Sequence, residues 1–159
     1  MNAMTARGLS LAAVVAVWAA ISHLGKVPLQ LWPVVVGLGC FVAAGGGIPG
    51  FQKSVAGTVS GVVWALLYVT VSGALGRQEV LDALVLGTAV FGMVFQARVP
   101  LLSYTAGAIA GAGVAMGILG VRVVTLQGGI RVAIALVLGA GLGYAAEWLG
   151  GMMMKSRAA

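Results

Sequence analysis

The stretch Gly25 to Gly47, GKVPLQLWPVVVGLGCFVAAGGG, returns 72 positions later as Ala97 to Leu119, ARVPLLSYTAGAIAGAGVAMGIL, without a gap. Lys26-Val27-Pro28-Leu29 falls on Arg98-Val99-Pro100-Leu101, and Trp32 falls on Tyr104. Gly39 falls on Gly111, Val42 on Val114, Ala43 on Ala115 and Gly45 on Gly117. Small residues are common in this chain, so the weight rests on the basic-Val-Pro-Leu anchor. Each copy reads as a basic, proline-containing turn followed by a short, Gly-rich apolar segment. A chain built this way is expected to fold as two related halves.

What surrounds those halves follows from how little charge the chain carries. Charged residues make up 8% and hydrophobic residues 61%, whereas a soluble domain carries roughly a quarter charged residues. Such a chain cannot cover itself with a polar surface, so its solvent is the lipid bilayer. A segment inside hydrocarbon must satisfy its own backbone hydrogen bonds, which leaves helices or a closed barrel. The apolar runs are continuous, not alternating with period two, which selects helices. The net charge of +6 comes from basic residues spread singly among loops and ends, so it orients helices and implies no nucleic acid. One cysteine and one histidine give no internal disulfide and no metal cluster.

Six helices are expected: Gly8 to Leu24, Trp32 to Gly47, Ser54 to Leu75, Leu81 to Ala97, Leu102 to Leu119 and Ile130 to Leu149. Pro49-Gly50 reads as a breaker between the second and third. Later in the chain the repeat offset grows to 78, with Lys53 on Arg131 and Gly61 on Gly139, the extra residues falling in the loop Gly120 to Gly129. Helix one has an Arg-led, small-residue, apolar character that a signal peptide shares; its place in the repeat opposite helix four argues that it is retained. Three crossings per half make the second copy enter from the opposite side. The fold class is therefore an all-α membrane protein of six transmembrane helices in one domain over 1–159, as inverted repeats over about 8–75 and 81–149, with helices two and five short and Gly-rich. The side holding both termini carries Arg7, Lys53, Arg98, Lys155 and Arg157, and the other carries Lys26, Arg77, Arg122 and Arg131. That bias places the termini in the cytoplasm.

Short, Gly/Pro-interrupted segments at matching positions of inverted repeats point to a transport site. The candidates for lining a pathway or for close helix approach are Gly39, Cys40, Phe41, Gly45, Gly46, Ser60, Trp64, Gln96, Ser103, Gly107 and Gly111. The plainer reading of the glycines is helix packing, since Gly57-x-x-x-Gly61 and Gly107-x-x-x-Gly111 are packing spacings. His23 and Gln96 read as interfacial anchors beside the basic turns. Ser54, Thr58 and Ser60 read as bonding to their own helix, Ser103 to Thr105 as a helix N-cap, and Glu147 as reaching the headgroup layer. No nucleophile and base stand at a recognisable spacing and no phosphate-binding loop is present, so neither an enzyme nor a cofactor is expected. No deeply placed carboxylate exists to couple ions.

The chain resembles the small bacterial inner-membrane proteins of domain-of-unknown-function family 1097. The resemblance rests on Gly39-Cys40-Phe41, Ala43-Ala44-Gly45-Gly46, Gly50, Ser60-Gly61-Val62-Val63-Trp64-Ala65, Gln96-Ala97, Leu101-Leu102-Ser103, Gly107 and Gly111-Ala112. It covers about Trp32 to Glu147 and implies a multi-pass inner-membrane protein with six helices, without adding a substrate or mechanism. The function expected is a passive channel or facilitator for a small neutral or weakly polar solute, its path between helices two and five, in a homo-oligomer. The rival is a non-transporting membrane subunit that packs against a partner. A pathway requires a continuous cavity between the paired segments; a scaffold requires a solid centre.

Overall fold

The helices form along the long apolar runs, which few charged residues interrupt. In the computed structural model, which describes residues 3–25, 30–120 and 125–155, they are α1 (Ala3–Leu24), α2 (Leu31–Ala43), α3 (Gly47–Ala74), α4 (Glu79–Phe95), α5 (Thr105–Leu119) and α6 (Leu126–Lys155). Lys26 to Leu29 of the first anchor, Arg122 and Arg157 lie outside the described residues.

Four segments are long and apolar enough to cross a membrane: Met4–Leu24, Gly47–Ala74, Glu79–Arg98 and Leu126–Met154. The two repeat segments, α2 and α5, are not. Their 13 and 15 residues rise about 20 and 22 Å, against a hydrocarbon core of roughly 30 Å. Six full crossings therefore reduce to four candidate spans and two shorter apolar helices.

Two boundaries move for local reasons. Pro49-Gly50 does not separate helices but lies in the first turn of α3, where a missing backbone N–H costs nothing. The break comes earlier, at Gly45, Gly46 and Gly47, whose φ values of +98°, +71° and +63° only glycine adopts without strain. Before α5, the chain makes two short 3-10 turns, Gln96–Arg98 and Pro100–Leu102, so α5 starts at Thr105.

The most extensive packing joins α2 to α6 and α3 to α5. Gly37 faces Leu136 and Gly143 faces Phe41, so α2 and α6 run parallel. Gly57 faces Tyr104 and Gly61 faces Ala108 and Ala112, so α3 and α5 run parallel. Phe51 packs on Tyr144 with ring centroids 6.0 Å apart, while Leu66 covers Gly129. This makes α3 and α6 antiparallel, and α2 and α5 opposite in direction. The core lies where these four helices meet: Val62 and Ala65 of α3, Ala108, Ala112, Val114 and Ala115 of α5, and Val132 and Leu136 of α6, with Met93 reaching in from α4.

Candidate functional site

Two polar constellations stand out against this apolar body. The first begins at the α2–α3 turn. The three positive-φ glycines swing the chain so that the first backbone N–H of α3 points at α6, and Gly47 N donates to Glu147 Oε2 at 2.7 Å. The second carboxylate oxygen accepts from Arg7 Nη2 of α1 at 3.3 Å. A carboxylate at a helix N-terminus is favoured by the orphan N–H groups and the helix dipole. Glu147 thus ties α1, α3 and α6 together at the end of the molecule where α1 begins. A cavity of about 170 Å³ opens beside it, lined by Arg7, Ser10, Phe41, Gly46, Gly143 and Glu147, among others.

The second constellation sits beside the middle of α3. Trp64 Nε1 donates to Gln96 Oε1 at 3.0 Å, Gln96 Nε2 donates to Ser60 Oγ at 2.9 Å, and Ser60 donates to Gly57 O at 2.7 Å. Every amide atom this chain of bonds uses is paired, as a polar group within apolar surroundings requires. The network fastens the end of α4 to α3. Gln96 is therefore a bridge between α3 and α4. Trp64 also covers Gly92, where a Cβ would lie 2.6 Å from the indole Cζ2.

Among the sequence-predicted residues, Ser60, Trp64 and Gln96 come together in this network, and Phe41, Gly45 and Gly46 line the Glu147 cavity. Cys40 is buried on α2. Gly107 packs under the Tyr104 ring, and Gly111 lies against Thr58, where a Cβ would come within 2.9 Å of Thr58 Cα. Gly39 is brought to nothing: it lies on the exposed face of α2, and a Cβ there would meet no atom within 4 Å. The close approach on α2 is made by Gly37, one face round the helix, where a Cβ would come within 2.9 Å of Leu136 Cα. Ser103 is exposed and donates to Pro100 O at 2.7 Å, and Tyr104 occupies the cap position of α5 with no side-chain cap bond, so the expected N-cap is absent.

Sequence reasoning missed Arg7 and Gly37 and gave Glu147 only the headgroup layer. The visible signal was a Gly-Gly-Gly turn with a lone carboxylate elsewhere in an acid-poor chain. Thr58 and Ser60 bond to their own helix as expected, Thr58 to Ser54 O at 2.8 Å. Ser54 Oγ, fully buried, has no partner among the described residues.

Comparison with known proteins adds a family. The model described as protein of unknown function (DUF1097) matches residues 8–151. The Escherichia coli (strain K12) uncharacterized protein YahC is 34% identical over 122 residues, covering 70% of this chain and 73% of that one. The inner membrane protein YcdZ of the same organism is 37% identical over 78 residues, covering 47% of this chain and 48% of its own. No solved structure matches.

Proposed function

Since the chain belongs to the DUF1097 family, whose description carries no reaction or ligand, we propose its function from geometry: a non-enzymatic, non-transporting membrane subunit built on a solid centre. It is an integral protein of the inner membrane, like its relative of that name. The observation that carries the proposal is the crossing of α2 with α6 and of α3 with α5. Gly37 lies against Leu136, Gly139 against Val34, Gly61 against Ala108 and Gly111 against Thr58, each glycine set on the opposing backbone. Backbones this close leave no room for a solute between α2 and α6 or between α3 and α5. Leu136, Ala108 and Ala115, fully buried, fill what remains.

The same contacts support reading the chain as two inverted repeats. Gly37 with Leu136 and Gly139 with Val34 become Gly111 with Thr58 and Gly61 with Ala108 when α2 is shifted by 74 residues and α3 by 78. Likewise the hydrogen bond from Ser72 to Asp82 finds its counterpart in Gly150 beside Ser10. Opposite running of α2 and α5 is what inversion requires.

The test is reconstitution into liposomes with stopped-flow measurement of glycerol and urea swelling. The expected result is swelling no faster than in protein-free liposomes, with native mass spectrometry in mild detergent reading the self-association of a homo-oligomer. Swelling that rises with protein content and falls in a Gly111→Leu variant would overturn the proposal. It would favour the second reading, a passive pathway, for which the Ser60–Gln96–Trp64 network beside the middle of α3 is the supporting observation.

A further inference from the structure

The cavity beside Glu147 is larger than the joining of three helices requires. It measures about 170 Å³, against the roughly 10–15 Å³ that one water needs. Arg7 and Glu147 are the charged residues that line it. Leu11 of α1 and half-exposed Val42 of α2 line it too, and these two helices scarcely touch each other. It therefore opens between α1 and α2, toward lipid. Its depth follows from the spans. Arg7 stands three residues inside the span that begins at Met4, Gly47 opens the span Gly47–Ala74, and Glu147 stands seven residues before the end of Leu126–Met154. The 29 residues of that last span rise about 43 Å, enough for the hydrocarbon core and both headgroup layers. Glu147, about 10 Å from its end, lies where headgroups meet hydrocarbon.

The ion pair in this cavity is loosely held. Arg7 and Glu147 meet at 3.3 Å with side chains 63% and 33% exposed, and pairs of that kind contribute little. Their bond engages one of the five N–H donors of a guanidinium, and a carboxylate offers about four acceptor positions. Packing does not demand the pair either. On the inverted-repeat reading, Glu147 answers to Val69, 78 residues earlier, and Val42 to Met116, 74 residues later. Met116 packs against the apolar cluster that holds Val69. The second half thus fills with apolar side chains the place where the first keeps a cavity and two charges. Elsewhere the halves agree: the apolar groove between α1 and α6 recurs between α4 and α3, Val17 answering to Ala89 and Leu149 to Val71.

We propose that this cavity binds the phosphoethanolamine headgroup of a phospholipid, with the phosphate on Arg7 and the ammonium on Glu147. A ligand of one sign would leave either Arg7 or Glu147 without its partner, which is unfavourable away from bulk water. A zwitterion exchanges one pair for two. Arg7, exposed and flexible, swings to the phosphate, while Glu147 Oε1 accepts from the ammonium and Oε2 keeps Gly47 N. A primary ammonium donates charge-assisted hydrogen bonds to a carboxylate, whereas the trimethylammonium of choline has no N–H to give. The acyl chains leave past Leu11 and Val42, between α1 and α2.

The experiment is native mass spectrometry of the whole protein in neutral detergent. The added probes are palmitoyl-oleoyl phosphatidylethanolamine, phosphatidylcholine or phosphatidylglycerol, or free O-phosphoethanolamine. The expected result is preferential retention of phosphatidylethanolamine. Arg7→Gln should weaken that retention by about tenfold, and Arg7→Lys should keep the preference. Glu147→Gln should level phosphatidylethanolamine with phosphatidylcholine. Val42→Trp, which blocks the opening and leaves both charges in place, should lose phosphatidylethanolamine with an unchanged unfolding midpoint; it serves as the test if Glu147→Gln does not fold. Equal retention of the three lipids, preference for phosphatidylglycerol, or wild-type retention by Arg7→Gln or Val42→Trp overturns the proposal. Free O-phosphoethanolamine binding as tightly as the lipid overturns the lipid assignment in favour of a soluble zwitterion.

Discussion

Gly37 and Gly39 stand two residues apart on α2, and alanine at each should act with opposite sign. At Gly37 an added Cβ would land on the Leu136 carbonyl and come within 2.9 Å of Leu136 Cα. Ordinary contact begins near 3.4 Å, so α2 and α6 must separate by about half an ångström or more. The obstacle is backbone, which cannot swing aside as a side chain could. Overpacking of this kind costs about 1–3 kcal/mol, and a rigid obstacle puts it at the upper end. The better helix propensity of alanine returns up to about 1 kcal/mol, leaving a net loss of about 2 kcal/mol. At Gly39 nothing lies within 4 Å, so only the propensity gain remains. Gly39→Ala should be neutral or stabilising by up to about 1 kcal/mol. Equilibrium unfolding in mixed micelles, followed by tryptophan fluorescence, reads both. The reasoning fails if Gly39→Ala is the more damaging change, which is what the 72-residue register pairing Gly39 with Gly111 implies. Equal effects at the two positions would refute it as well.

Glu147→Gln removes the charge that holds both Gly47 N–H and Arg7, and should cost about 1–2 kcal/mol in the same unfolding measurement. Arg7→Gln should cost less than about 0.5 kcal/mol, because the Arg7 side chain is 63% exposed and exposed ion pairs contribute little. Gln96→Leu strands the Trp64 indole N–H and should destabilise by about 1–3 kcal/mol; a double-mutant cycle with Ser60→Ala should show coupling above about 0.5 kcal/mol. Fused at the C-terminus, green fluorescent protein should fluoresce and alkaline phosphatase should stay inactive, placing the termini in the cytoplasm; the reverse pattern defeats that orientation.

The membrane class was legible from composition, because a chain this poor in charge has only lipid to meet its surface. Helix number was legible from the spacing of apolar runs; the proposed repeat rests on the matching Lys26 and Arg98 turns. The register of α2 on α5 was not. The turns match at 72 residues, but α2 begins at Leu31 and α5 at Thr105, 74 residues on, after a second 3-10 turn. Those two residues rotate the glycine that meets a neighbour from Gly39 to Gly37. The 72-residue register chose Gly39, because propensity and hydropathy do not separate the two glycines.

The candidate site divides the same way. That Gly45-Gly46-Gly47 would break the chain follows from glycine alone, as left-handed φ values are cheap only without a Cβ. That Glu147, a hundred residues away, would fill the N-terminus of the helix they open depends on α6 lying parallel to α2. Likewise Gln96 was visible as a polar residue closing an apolar run, but its partners Ser60 and Trp64 lie on a helix packed against it from the side. By itself, then, the sequence determined which solvent the chain faces, where helices can form and where they must stop. Only the tertiary structure decided which faces meet, because a helix phase depends on every residue inserted before it, and two extra residues in one turn are enough to exchange a lipid-facing glycine for a buried one.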